Sequence, residues 1–236
     1  MTASRRPLLI ISGISEGLGA SLAETFACAG YDVAGISRSD RASAEIRRRI
    51  EAQGGCYAHV PCDLAQPDSV AAALQPFAAS ATALVHNAHR LLIKPFEETS
   101  PGEIEEVCQT TCFGAMNAAR VVLPGMVARG NGHVILTGAT ASIRGGANFA
   151  AFAAAKFALR GFAQSLAREY GPKGVHVAHV IVDGLIDELQ TTSRFGASQS
   201  QRINADAVAR TYLDLTRQDR SAWTHELDLR PCSERF

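Results

Sequence analysis

The sequence predicts an α/β fold: one doubly wound domain with a mostly parallel, seven-stranded sheet and helices on both faces. Three observations predict it. Short apolar runs alternate with segments of helical period along nearly the whole chain. Glycines close or open several of these segments, as at Gly17, Gly30, Gly54 and Gly55. The chain has 236 residues, 47% hydrophobic and 19% charged, which suits a single core and excludes a largely disordered protein.

The elements follow in order. Pro7 to Ser12 is a short apolar strand. Gly17 to Ala29 places Leu18, Leu22, Ala23 and Phe26 on one helical face and stops at Gly30. Asp32 to Ser37 is a second strand. Ala42 to Gln53 is a charged helix closed by Gly54-Gly55. Cys56 to Pro61 is a third strand, and Pro67 to Ala79 a helix opened by Asp68 and Ser69. Ala83 to His86 is a fourth strand. Ser100 caps a helix that runs, with a possible bend, to about Arg129. His133 to Thr137 is a fifth strand, Asn148 to Tyr170 a long Ala-rich helix, and Val175 to Val182 a sixth strand. Residues 186 to 204, rich in Ser and Thr, read as a flexible substrate flap within the single domain 1–236. Ala205 to Gln218 is a late helix and Thr224 to Leu229 the last strand. Alternation of this kind implies right-handed βαβ units and helices on both faces of the sheet.

Charge narrows the partners. Lys+Arg and Asp+Glu each count 23, so the formal net charge is zero. No long-range field draws nucleic acid or anionic lipid, and 6% aromatic residues offer little base stacking. No apolar run reaches the length of a bilayer span, so no membrane partner is expected. The apolar stretch after Arg5-Arg6 is too short for a signal-peptide core. The six cysteines include no Cys-x-x-Cys pair. Cys56, His59 and Cys62 can be drawn as metal ligands, but the stretch reads better as a buried strand, and no metal site is expected. Free thiols without an export signal point to the cytoplasm.

The turn Ser12-Gly13-Ile14-Ser15-Glu16-Gly17-Leu18-Gly19 lies between the first strand and the first helix. Its glycines let backbone approach a pyrophosphate, and the helix start supplies unpaired N–H groups and partial positive charge. Such a turn in a βαβ chain points to a dinucleotide. The second strand ends in Ser37-Arg38, with no carboxylate there to bind a free ribose. A guanidinium pairs with a 2′-phosphate, so NADP(H) is preferred, with NAD(H) possible.

These motifs, with others downstream, resemble the short-chain dehydrogenase/reductase superfamily, classical type, from Leu8 to about Leu229. The glycine turn is similar to its Thr-Gly-x3-Gly-x-Gly, with Ser12 for Thr. Asp63-Leu64 looks like its adenine-contacting pair, and His86-Asn87-Ala88-His89 resembles its Asn-Asn-Ala-Gly. Phe152-Ala-Ala-Ala-Lys156 falls where that family has Tyr-x3-Lys, and Asp183-Gly184 where it has Pro-Gly. The resemblance implies a Rossmann fold and cofactor contacts from Ser12, Gly13, Ser15, Gly17, Leu18, Gly19, Arg38, Asp63, Leu64, Asn87, Ala88, Lys156, Gly184 and Ile186.

It also implies a catalytic set, and the sequence departs from it. The family's Asn position is Thr111, its Ser position Ala139 and its Tyr position Phe152. Lys156 alone is kept. Phenylalanine has no exchangeable proton and alanine donates no hydrogen bond, whereas a positioned acid contributes ~10²–10⁴-fold to carbonyl chemistry. Thr140 and Ser142, which flank the Ala139 position, and Thr137 before it are candidate weak donors, as are Lys156 itself, His89 and Asp183, and Arg144 could meet an anionic substrate. The expected function is therefore an NADP(H)-linked oxidoreductase acting on a small carbonyl, alcohol or imine with a non-standard proton donor. The alternatives are a nucleotide-binding protein without turnover, and a cleft repurposed for isomerase, lyase or cyclase chemistry. The resemblance further implies a homodimer or homotetramer, paired through long helices that carry many small residues.

Overall fold

The computed structural model describes residues 6–188 and 202–233. Seven strands form one parallel sheet: β1 (Leu8–Ser12), β2 (Asp32–Ser37), β3 (Tyr57–Pro61), β4 (Ala81–His86), β5 (Gly132–Thr137), β6 (Val175–Val182) and β9 (Glu226–Leu229). Their order is β3-β2-β1-β4-β5-β6-β9. β1 pairs in parallel with β2 on one side and β4 on the other, so the strand order reverses there. In open α/β sheets, ligands bind beyond the carboxyl ends of the strands at such a switch point.

Strand alternation sorts side chains to two cores. Leu9 and Ile11 face α1 (Leu18–Cys28), α2 (Ser43–Glu51) and α7 (Ala205–Leu215), packing with Phe26, Ile46, Ile50 and Tyr212. Ile10 and Leu84 face α3 (Pro67–Leu74), α5 (Gly114–Arg129) and α6 (Ala150–Tyr170), packing with Val70, Ala118, Met126 and Leu159. Full burial of each large apolar side chain stabilises by roughly 1.5–3 kcal/mol.

Element ends differ from the sequence reading for local reasons. α3 stops at Leu74, and Gln75–Phe77 continues as a 3-10 turn because Pro76 lacks an N–H. α6 begins at Ala150, since Asn148 has a left-handed φ of 68°. β9 begins at Glu226. Thr224 instead donates its N–H to the Gln218 side chain at 2.7 Å and accepts from Gln218 Nε2 at 2.8 Å. The helix after Ser100 is interrupted: α4 (Pro101–Cys108), capped by the reciprocal Ser100–Glu103 box, passes through a π turn, Gln109–Phe113, into α5.

Short strands lie at the described ends of the expected flap. Leu185–Ile186 (β7) and Arg202–Ile203 (β8) form a two-stranded parallel ribbon. Residues 189–201 of the flap lie outside the described residues. The run Pro101–Arg129 is also more apolar than the sequence reading allowed. By length and composition it is the one helical stretch among the described residues able to cross a membrane. Half of its most apolar window is buried inside the protein. Ala115, Ala118, Val122 and Met126 face the sheet, which is the place of a core helix.

Candidate active site

The carboxyl ends of the strands open into a cleft with two connected cavities of about 660 and 570 Å³. Asn87, His89, Ile186 and Glu188 line both.

The smaller cavity holds the glycine turn. After β1 the chain is drawn against the end of β4, where the Ser12 carbonyl accepts from the N–H groups of Asn87 and Ala88 at 2.8 and 2.9 Å. Gly13 has φ +93°, and a β-carbon there would lie 2.6 Å from Ala88 Cα. Only glycine fits that approach. Asn87 Nδ2 donates to the Gly13 carbonyl at 3.2 Å, tying the two turns together. Gly17, φ +86°, starts α1. Gly13, Ser15, Leu18, Arg38, Asp63, Leu64, Asn87, Ala88 and Ile186 line this cavity. Gly19 packs behind it against Gly13 and Ile14. Ser12 faces inward: its hydroxyl pairs with His86 Nδ1 at 2.7 Å, and both residues are fully buried. Asp63 spends one carboxylate oxygen on the Ala65 N–H at 3.0 Å. Arg41 stands beside Arg38, Ser37 and Ser39 on the same wall.

The larger cavity gathers Ala139, Thr140, Phe152, Lys156, Asp183 and Gly184, with Arg144 among its lining. Lys156 is 2% exposed and donates from Nζ to the Thr137 carbonyl at 2.7 Å. Burial pushes its pKa down to about 7, partly opposed by the nearby Cys112. Its ammonium lies 5.6 Å from the Phe152 ring centroid. Thr140 donates from its hydroxyl to Asp183 Oδ1, and Arg230 lies 3.7 Å from the other oxygen of that carboxylate. The Thr140 hydroxyl hydrogen is thus engaged. Toward the cavity this pair offers an acceptor.

Thr111 lies apart from both cavities. It is fully buried in the π turn, and its hydroxyl accepts from the Arg90 N–H at 3.2 Å. Four features escaped the sequence reading. Arg41 could have been weighed with Arg38 on proximity alone. The Thr140–Asp183 contact spans 43 residues, and no local pattern announces it. Behind Gly138, His179 Nδ1 pairs with Glu226 Oε2 at 3.2 Å, and Arg160 holds Glu226 with two 2.7 Å bonds. Glu188 is the fourth: the Leu18 N–H donates to its carboxylate at the start of α1.

The chain and its fold have counterparts among known proteins. Residues 8–194 match the profile of the family described as short chain dehydrogenase. A short-chain dehydrogenase from Rhodopseudomonas palustris is 35% identical, with TM-score 0.84 over 96% of this chain and 99% of that one. A metagenomic short-chain oxidoreductase solved in complex with NADP is 26% identical, with TM-score 0.84 over 97% and 98%. A fatty acyl-CoA reductase of Acinetobacter baylyi is 30% identical over 165 residues, covering 68% of this chain and 56% of its own length. The chain spans about half the length of the curated relatives it matches first. With matched residues over most of its length and the same sheet throughout, the chain belongs to the short-chain dehydrogenase family.

Proposed function

We propose that this protein is an NADP(H)-dependent oxidoreductase that acts on a small carbonyl, alcohol or imine without a tyrosine proton donor. One observation carries the reading: the glycine turn with its Arg38–Arg41 wall and the Lys156 cavity open into a single cleft. The turn's close backbone approach to Ala88, and the positive φ of Gly13 and Gly17 at the start of α1, fit a dinucleotide pyrophosphate. Arg38 and Arg41 would hold the 2′-phosphate, and Lys156 the nicotinamide ribose. A bound nicotinamide cofactor supplies or accepts the hydride.

The proton is left to this chain's own groups. Phe152 and Ala139 shape an apolar wall and move none. The Thr140–Asp183 pair is the polar group of the same cavity best arranged to take a proton from a substrate hydroxyl. Thr140 accepts it while passing its own hydrogen to the Asp183 carboxylate. Such a site favours alcohol oxidation, or an imine that brings its own basic nitrogen, over ketone reduction. Six free thiols suit a reducing, cytoplasmic setting, and the small residues of α5 and α6 suit a homodimer or homotetramer.

The test is NADPH and NADP⁺ binding by fluorescence and calorimetry, then turnover over a panel of alcohols, ketones and imines. Asp183→Asn should cut any alcohol oxidation at least tenfold while leaving NADP⁺ affinity within a few-fold. Saturable binding with no turnover of any class would favour a nucleotide-binding protein without catalysis, a reading that the Phe152 and Ala139 positions already support. Chemistry indifferent to cofactor removal would favour the repurposed cleft.

A further inference from the structure

The first turn of α1 lacks a side-chain partner of its own. Its N-cap is Gly17, with no cap hydrogen bond and no acidic residue in the first turn. Leu18, the first residue of this eleven-residue helix, lines the smaller cavity, with the helix's positive end there. An acidic side chain from elsewhere fills the position. The Leu18 N–H donates to the Glu188 carboxylate. The space that a Gly17 side chain would occupy is taken by that carboxylate, with Glu188 Cβ 2.8 Å from the position of the missing β-carbon.

Glu188 is held there by structure on both sides of the flap. Leu185 and Ile186 pair with Arg202 and Ile203. The Asp187 N–H donates to the Ile203 carbonyl at 2.9 Å, and Arg202 Nη1 donates to Asp187 Oδ1 at 3.1 Å. These contacts aim the next side chain across the junction of the two cavities, which Glu188 lines on both sides. Burial raises its carboxyl pKa above the usual range, the Leu18 N–H opposing the effect.

We infer that Glu188 is a built-in anion seated in the pyrophosphate position of the glycine turn, so that nucleotide binding must first displace it. The inference rests on the cofactor reading above and deepens it. A pyrophosphate and a carboxylate cannot share the same N–H donors, and their like charges repel at contact distance. Glu188 therefore sets the affinity for every ligand that carries a diphosphate. A ligand that engages the Arg38–Arg41 wall alone does not meet it.

Three probes separate the possibilities: NADPH, ADP and adenosine 2′-monophosphate, each titrated calorimetrically into wild type, Glu188→Gln and Glu188→Ala. The expected result is roughly tenfold or greater tightening of NADPH and ADP in both variants, with adenosine 2′-monophosphate unchanged within about twofold. Wild type that binds NADPH as tightly as the variants, or more tightly, overturns the inference and leaves the cofactor reading standing. Equal tightening of all three probes also overturns it, because the effect would not be local to the diphosphate. Failure of every variant to bind any probe removes the cofactor reading itself, and the inference with it.

Discussion

Lys156 Nζ lies 5.6 Å from the centroid of the Phe152 ring, one helical turn earlier on α6. Both side chains line the larger cavity, and the phenylalanine ring brings it no exchangeable proton. The cation keeps its place through the Thr137 carbonyl. On the other side of the sheet, the buried Tyr212 donates to Thr137 Oγ1 at 3.0 Å and steadies the same strand end. Lys156 is thus held in place beside a ring that carries no hydroxyl.

Restoring the donor is the first prediction. Phe152→Tyr combined with Ala139→Ser should raise NADPH-dependent ketone reduction by about 10²-fold or more, the contribution expected of a positioned acid. Steady-state kinetics on a ketone panel measure it. A folded double variant with no gain would mean that substrate carbonyls do not reach residue 152.

The second prediction concerns cofactor choice. Arg38→Ala with Arg41→Ala should weaken NADPH binding by roughly tenfold or more and change NADH binding by less than about threefold, since only the 2′-phosphate meets those guanidiniums. Equal losses for both cofactors would place the arginines elsewhere in recognition.

Acid sensitivity is the third. Burial is the main cause that pushes His86 down to about 3 and His179 down to about 4. Unfolded histidine titrates near 6.5. Above pH 6.5 both states are neutral, and the stabilisation is fully present. As pH falls below that value, the unfolded chain takes up protons that the folded chain refuses, so each histidine removes about 1.4 kcal/mol per pH unit until its folded pKa is reached. Lys156 acts at the alkaline end: from its ordinary 10.5 down to about 7, stability also falls as pH falls. Urea midpoints at pH 9, 7.5, 6 and 5 should decline in turn, and His179→Gln should flatten the acid limb. A level profile between pH 7 and 5 would refute the prediction.

The fourth prediction uses a glycine. A β-carbon on Gly138 would stand 2.5 Å from His179 Nε2 and 3.0 Å from Ser142 Oγ. The imidazole is pinned by Glu226 and cannot swing aside freely. Gly138→Ala should cost about 1–3 kcal/mol of stability. Gly145→Ala, where nothing lies within 4 Å of the added carbon, is the control and should cost little. Chemical denaturation of both variants decides the matter.

What the sequence by itself determined is local. The apolar runs from Leu8 to Ser12 and from Val175 to Val182 are strands because every residue faces a helix-covered layer. Gly13 and Gly17 turn the chain because their positive φ tolerates few other residues. Phe152 and Ala139 lack a proton because of what they are, wherever they sit. The tertiary structure decided everything that depends on residues distant in the chain. It turned Ser12 and Thr111 inward, joined Thr140 to Asp183 across 43 positions, and brought Glu188 onto the amino end of α1. Periodicity and spacing report only which neighbours a residue has within a few turns. A side chain's partner across the cleft is set by how the strands are ordered and where the crossing segments descend.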